Sequence, residues 1–302
     1  MKKIVIINGG NSSERDVSLV SATEVYNALT SLGYDCLKID PSDFDNVEDF
    51  LQQLRDEKPY IVFNALHGGD GENGNIQALL EMAEIPFTGS GSLTSKLAMD
   101  KYVSKLIAQD LNIPTPKFFL FIKGMRLAEI NIQFSLPYIV KPNNGGSSVG
   151  ITVVKELSHL EDALNSALVY DDRVLIEQFI PGKELTVTIL GQQTYPVVEI
   201  RPIDGWYDYK NKYTKGNTEY ICPAEISEYY SSKVQEMAYN FFERIAGKAY
   251  GRIDFRFDGE EFYFLEANTL PGMTSLSLTP MAVKSKGIDF KTLLQRIIDL
   301  SF

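Results

Sequence analysis

The sequence predicts an α/β protein whose first part is a parallel sheet wrapped by helices. Two observations carry this. Short apolar runs alternate with stretches of helical period through the first third of the chain, and the first long helical stretch stops at a glycine. Behind a proline cluster, NIPTP, the pattern changes to strands joined by glycine-containing turns.

The elements follow in order. KIVIING is a short apolar strand, and ERDVSLVSATEVYNALTSLG is helical up to its glycine. DCLKID is a second strand, VEDFLQQLRDE a helix, YIVFNAL a buried strand and NIQALLEMA a helix. Strand-helix alternation of this kind predicts parallel strands joined by right-handed crossovers. One helix is expected over LTSKLAMDKYVSKLIAQDL. YIVKPNNGGSSVGITVVK then reads as strand, glycine-serine loop and strand, SHLEDALNSALVY as a helix and RVLIEQFI as a strand. ELTVTILGQQTYPVVEI reads as two strands around a Gly-Gln turn. DGWYDYKNKYTKGNTEY has no period and is expected to be a loop. SSKVQEMAYNFFERIAG and IDFKTLLQRIIDLS are helices, separated by a hairpin.

Composition narrows the class. At 302 residues the chain has room for two or three domains. Its 44% apolar and 23% charged residues are an ordinary globular balance. A net charge of −11 argues against nucleic acid or an anionic membrane as partner. Two cysteines, Cys36 and Cys222, make no disulfide framework and suit a reducing compartment. The apolar run Ile4–Ile7 is too short for a secretory signal, and no run approaches a membrane span of about 20 residues. The expected location is the cytoplasm.

The hairpin YGRIDFRFDGEEFYFLEANTLPG is the most telling stretch. Residues two apart on a strand share a face, so Arg252 lies with Asp254, and Glu266 with Asn268. A three-residue loop, Asp258–Glu260, pairs Phe257 with Glu261 and sets Arg252 opposite Glu266, with Asp254 diagonal to it. Two carboxylates and an amide on one patch are hard oxygen ligands of the kind Mg²⁺ takes alongside substrate phosphates. A solvated, salt-bridged sheet face would have the same spacing. The aromatic neighbours favour burial, where charges need partners or a metal.

Other motifs are weaker alone. KPNNGGSSVG, Lys141–Gly150, could bring backbone N–H groups to phosphate, yet such a loop is more often only a turn. It is neither a GxxxxGK[ST] loop nor GxGxxG. HGGDGENG follows a strand end, where open α/β sheets bind ligands, although a lone His67 there is more often structural. In GGNSSERDVSL, Ser12 or Ser13 is the expected helix cap, with Glu14 in the first turn. His159 reads as a solvated helix-start residue.

Together, GGNSSERDVSL, HGGDGENG, MDK, VKPNNGGSSVG, IEQFIPGKELTV, YDYKNKY, GRIDF and LEANTLPGMTSLSL stand in the order found in D-alanine–D-alanine ligases. The resemblance covers nearly the whole chain, and these ligases are ATP-grasp enzymes. It implies three α/β parts: a Rossmann-like substrate domain at 1–97, a central ATP-grasp subdomain at 98–182 and a carboxyl-terminal one at 183–302, with ATP between two sheets. It implies phosphorylation of one D-alanine carboxylate by ATP and attack on the acyl phosphate by the amine of a second, for peptidoglycan precursor synthesis.

The roles implied for residues follow from the same resemblance. Asp254, Glu266 and Asn268 would hold two Mg²⁺ ions, with Mn²⁺ as a substitute. Arg252 would steady the acyl phosphate. Lys101 and Lys141 would hold ATP phosphates, with Lys212 reaching the γ-phosphate and Ser147 in the loop above them. Glu177, Gln178, Phe179 and Ile180 would read adenine, and Glu184 the ribose. Glu14 would bind the ammonium of the first D-alanine, near His67. Gly272, Ser277 and Leu278 would form the second subsite. Tyr213, with Ser147 and Glu14, would close a lid and favour an amine acceptor over D-lactate. Asn73 and the NNGG stretch depart from many members without removing a ligand. A homodimer is also implied. The readings kept beside this one are a ligase with another acceptor and a nucleotide-binding scaffold with a dead site.

Overall fold

The computed structural model describes residues 1–146, 149–203, 217–275 and 277–302. Three sheets organise them. The first is parallel, in the order β2-β1-β3, from β1 (Lys3–Ile7), β2 (Asp35–Ile39) and β3 (Ile61–Asn64). The run IVII in β1 is buried on both faces, as a strand covered by helices on each side must be. Ile4 and Ile6 face the core shared with helix Arg15–Ser31, while Val5 and Ile7 face helices Val47–Glu57 and Asn75–Met82.

The second sheet is antiparallel, in the order β4-β7-β5-β6, from β4 (Phe118–Ile122), β5 (Tyr138–Pro142), β6 (Thr152–Val154) and β7 (Arg173–Gln178). Tyr138, Val140, Val174 and Ile176 pack on helix Leu160–Ala167. The alternate positions, Ile139, Lys141, Leu175 and Glu177, are left for the opposite face.

The third sheet runs β11-β10-β8-β12-β13, with β9 (Gln193–Thr194) beside β8. Its strands are β8 (Lys183–Leu190), β10 (Val198–Pro202), β11 (Thr218–Ile221), β12 (Tyr250–Phe257) and β13 (Phe262–Asn268). Leu185, Val187, Ile189, Ile253, Phe255 and Phe264 form one core with helix Glu228–Arg244. Glu184, Thr186 and Thr188 alternate with that apolar set, so they face the other way.

The first and third sheets share a core. Leu293, Leu294 and Ile297 of the last helix, Phe290–Asp299, cluster with Ile4, Val25, Leu29 and Phe63. Tyr34 also donates to Gln295 at 2.8 Å.

Several expectations are corrected. The long helix after Ser92 is two, Ser92–Met99 and Lys101–Asp110, because Asp100 leaves helical geometry and caps the second through Val103 N–H at 3.0 Å. The cap of the first helix is Glu14 rather than Ser12 or Ser13, and Ser12 Oγ accepts the Glu14 N–H at 3.1 Å. The end of the unperiodic polar stretch, Thr218–Tyr220, pairs with β10 as a strand. Helix Leu278–Lys284 was not foreseen. Its Pro280 sits in the first turn, where a missing N–H costs nothing. His159 is an exposed helix-start residue, as expected.

Candidate active site between the second and third sheets

The hairpin register differs from the expected one. The loop has four residues, with Phe257 paired to Phe262, held by Asp258 Oδ1 accepting the N–H groups of Glu260 and Glu261 at 2.9 and 2.8 Å. Alone, that shift would send Glu266 and Asn268 into the core beside Phe262 and Phe264. A bulge restores them: the register slips at Leu265, so Asp254 lies directly opposite Glu266 and Arg252 opposite Asn268. The predicted patch therefore exists with different partners inside it.

Asp254 is buried. Thr186 donates to its Oδ1 at 2.5 Å, and Arg252 grips both oxygens, Nε at 2.9 Å and Nη2 at 3.0 Å. Glu266 is one-third exposed and pairs with Lys101 at 3.1 Å. Lys101, at the start of its helix, also donates to Gly145 O at 2.6 Å and so ties the glycine-serine loop to the hairpin. Gly145 has φ +113°, a backbone that a side chain would strain. Among the described residues, no three His, Cys, Asp or Glu side chains gather into a metal cage. Asp254, Glu266 and Asn268 instead put two carboxylates and an amide on one sheet face, Asp254 buried and Glu266 one-third exposed, a hard donor set that fits Mg²⁺ completing its shell from substrate and water.

A cavity of about 90 Å³ between the sheets is lined by Ile139, Lys141, Glu177, Glu184, Arg256 and Leu265 among others. Lys141 and Lys105 both pair with Glu177 Oε1, at 3.0 and 3.1 Å. Burial alone would push the Glu177 carboxyl up, but the two ammonium groups outweigh it and hold it below its usual value. Glu177 is thus a buried partner of two lysines. Burial pushes the Glu184 carboxyl up to about 7, against the opposing pull of Arg256. Arg256 donates to Glu184 at 3.3 Å, to Ile180 O at 3.2 Å and to Gly182 O at 2.8 Å. A side chain at Gly182 would run into Phe257 O, which keeps this turn tight against the hairpin.

A roomier cavity, about 390 Å³, lies at the carboxyl ends of β1–β3, bordered by Gly10, Ser12, His67 and Gly69. It holds none of the candidate metal or phosphate groups, so chemistry rather than volume favours the cleft between the sheets. His67 is buried, with Nε2 3.0 Å from Ser21 Oγ and Nδ1 3.6 Å from Glu72. Glu14 reaches both Gly68 and Gly146: a Cβ built on either would lie 2.8 and 3.3 Å from its Oε2. The start of the amino-terminal helix is thus close to the glycine-serine loop. Ser277 Oγ accepts Thr274 N–H at 3.1 Å beside Gly272, whereas the Leu278 side chain is turned into the core. Ser147, Lys212 and Tyr213 lie outside the described residues.

The sequence reading missed Lys105, Thr186 and Arg256. Each had a legible signal: Lys105 is four residues after Lys101 on one helix, Arg256 two after Asp254 on one strand, and Thr186 two after Glu184.

Comparison with known proteins identifies the family. Residues 107–299 match the family model described as D-ala D-ala ligase C-terminus, and residues 38–90 that of the D-ala D-ala ligase N-terminus. The D-alanine--D-alanine ligase of Syntrophotalea carbinolica is 41% identical over 98% of this chain and 95% of its own length. A crystal structure of the Bacillus anthracis D-alanine--D-alanine ligase complexed with ATP superposes with TM-score 0.87 at 29% identity, over 100% of this chain and 97% of that one. The VanG D-Ala:D-Ser ligase of Enterococcus faecalis gives TM-score 0.84 at 31% identity, covering 100% and 99%. The fold is the ATP-grasp architecture expected from the motifs.

Proposed function

Because the chain belongs to the D-alanine–D-alanine ligase family, we infer that the cleft between its second and third sheets is where ATP and two D-alanines are joined into D-alanyl-D-alanine. The reaction is ATP-dependent ligation. A D-alanine carboxylate oxygen attacks the γ-phosphorus and ADP leaves. The amine of the second D-alanine then attacks the acyl carbon, phosphate leaves, and the amine gives up its proton as the amide forms. The product is taken to serve peptidoglycan precursor synthesis. The observation that carries the site is the meeting of Asp254, Glu266 and Asn268 with Lys101 and Lys141 between two sheets.

The roles are proposals. Lys101 and Lys141 hold phosphate oxygens, and Lys212 reaches the γ-phosphate. Glu177 to Ile180 read adenine, and Glu184 accepts ribose hydroxyls. Arg252, fixed by Asp254, faces the acyl phosphate and the oxyanion that forms on attack. Glu14 takes the ammonium of the first D-alanine beside His67, supported by the closeness of its carboxylate to Gly68 and Gly146. Gly272, Ser277 and the backbone of Leu278 hold the second. Ser147 and Tyr213 close the site with Glu14. Asp254, Glu266 and Asn268 would hold Mg²⁺, or Mn²⁺ in its place, and what a bound ion supplies is neutralisation of phosphate charge. The three-part division at 1–97, 98–182 and 183–302, a cytoplasmic location and a homodimer complete the proposal. Two free cysteines agree with that location, and no helix among the described residues is long and apolar enough to cross a membrane.

The test is ADP release with ATP, Mg²⁺ and a panel of D-alanine, D-serine and D-lactate, with products identified by mass spectrometry. D-alanyl-D-alanine should dominate near pH ~7.5, because Tyr213 adds no positive charge to repel an ammonium. Mostly D-alanyl-D-lactate or D-alanyl-D-serine would move the chain to another ligase class. No turnover with any acceptor would favour a scaffold.

A further inference from the structure

Lys105 is fully buried on helix Lys101–Asp110, and none of the roles above uses it. Its ammonium lies 3.1 Å from Glu177, donates to Thr115 Oγ1 at 2.9 Å and stands 3.4 Å from Phe264 O. Thr115 donates to the same carbonyl at 2.9 Å. The contacts therefore join a helix to β7 of the second sheet and β13 of the third, the two walls of the cleft.

The charge arrangement is unusual for a structural rivet. Glu177 Oε1 is shared by Lys105 and Lys141, so two buried cations divide one carboxylate. Burial of unbalanced charge is costly, and an apolar side chain of similar volume is often at least as stable. What an apolar residue cannot do is leave a surplus positive charge at the cleft floor.

We propose that Lys105 is a positioning residue for the nucleotide: by sharing Glu177 with Lys141 it keeps the Lys141 ammonium from being neutralised, and so available to a phosphate. This rests on the nucleotide reading of the cleft. Without Lys105, Glu177 has Lys141 as its one remaining close cation among the described residues, and the pair becomes internally balanced. Burial and the neighbouring Lys141 also push the Lys105 ammonium down to about 8 in spite of Glu177.

The experiment measures ADP affinity by calorimetry with Mg²⁺ present, together with KM for ATP and for D-alanine, in Lys105→Met, Lys141→Met and the double variant. Lys105→Met should weaken ADP about tenfold or more and raise KM for ATP to match, with KM for D-alanine changed less than twofold. The double variant should bind no worse than Lys141→Met, because the first residue acts through the second. A folded Lys105→Met variant binding ADP within twofold of the parent, or losses that add in the double variant, would overturn the proposal. If Lys105→Met does not fold, Thr115→Val keeps the ammonium but frees it from one anchor. About threefold weaker ADP binding supports the proposal, and unchanged binding overturns it. Lys141→Met without effect on ADP would sink the nucleotide reading itself.

Discussion

Asp254 lies directly across from Glu266, and the bulge at Leu265 is what sets them there. Side chains directly opposite on neighbouring strands are about 5 Å apart at Cβ, a spacing that lets two carboxylates share cations. Glu266→Gln should keep the fold and reduce turnover a hundredfold or more, equivalent to about 3 kcal/mol of transition-state stabilisation. Steady-state kinetics across an Mg²⁺ titration checks this, and near-normal turnover at ordinary Mg²⁺ ends the assignment.

Thr186 matters through Asp254. Its hydroxyl donates to that carboxylate, and groups that orient a metal ligand in this way typically affect metal affinity or activity by 10–100-fold. Thr186→Val should raise the Mg²⁺ concentration for half-maximal activity about tenfold. Unchanged Mg²⁺ dependence would show that Arg252 alone suffices.

Glu184 gives a pH dependence. Its folded-state carboxyl titrates at about 7 and its ordinary value is 4.5, because burial disfavours the charge. The folded chain therefore binds this proton more tightly than the unfolded chain. This group's contribution to stability is greatest below 4.5 and is lost as pH rises through about 7, a change of up to ~3 kcal/mol. The ionised form is the better acceptor for sugar hydroxyls, so KM for ATP should rise as pH falls from about 8 to 6. Glu184→Gln should flatten that dependence. A parallel pH profile in the variant would refute it.

Ile297 tests the shared core. It is fully buried in the last helix against the amino-terminal part. Ile297→Ala should cost about 2–5 kcal/mol, seen as a lower urea midpoint, with KM for ATP in the folded protein little changed. A midpoint equal to the parent would mean that the helix is not integral to that core.

The strand faces were legible because polar and apolar residues alternate so strictly: Glu184, Thr186 and Thr188 against Leu185, Val187 and Ile189. Register was not. It turns on Asp258 capping its own loop and on Phe262 and Phe264 claiming the core, neither of which has a periodic signature. The run FFLFI of β4 was missed because it is short, apolar throughout and follows prolines. The cation-sharing at Glu177 was equally hidden, since it joins residues 105, 141 and 177 across three elements. The family motifs, by contrast, name residues whatever the packing around them.

The core shared by the first sheet and the last helix has a consequence for synthesis on the ribosome. Ile4 and Val25 emerge early, yet the Leu293 and Ile297 side chains that cover them emerge nearly three hundred residues later. Through that interval one face of the amino-terminal unit is open to water and to other nascent chains. Contacts of such sequence separation are slow to form, and the exposed surface is an aggregation hazard meanwhile. The buried face of helix Arg15–Ser31 is therefore a natural stretch for a holdase chaperone to cover, released when Phe290–Asp299 arrives to compete for it.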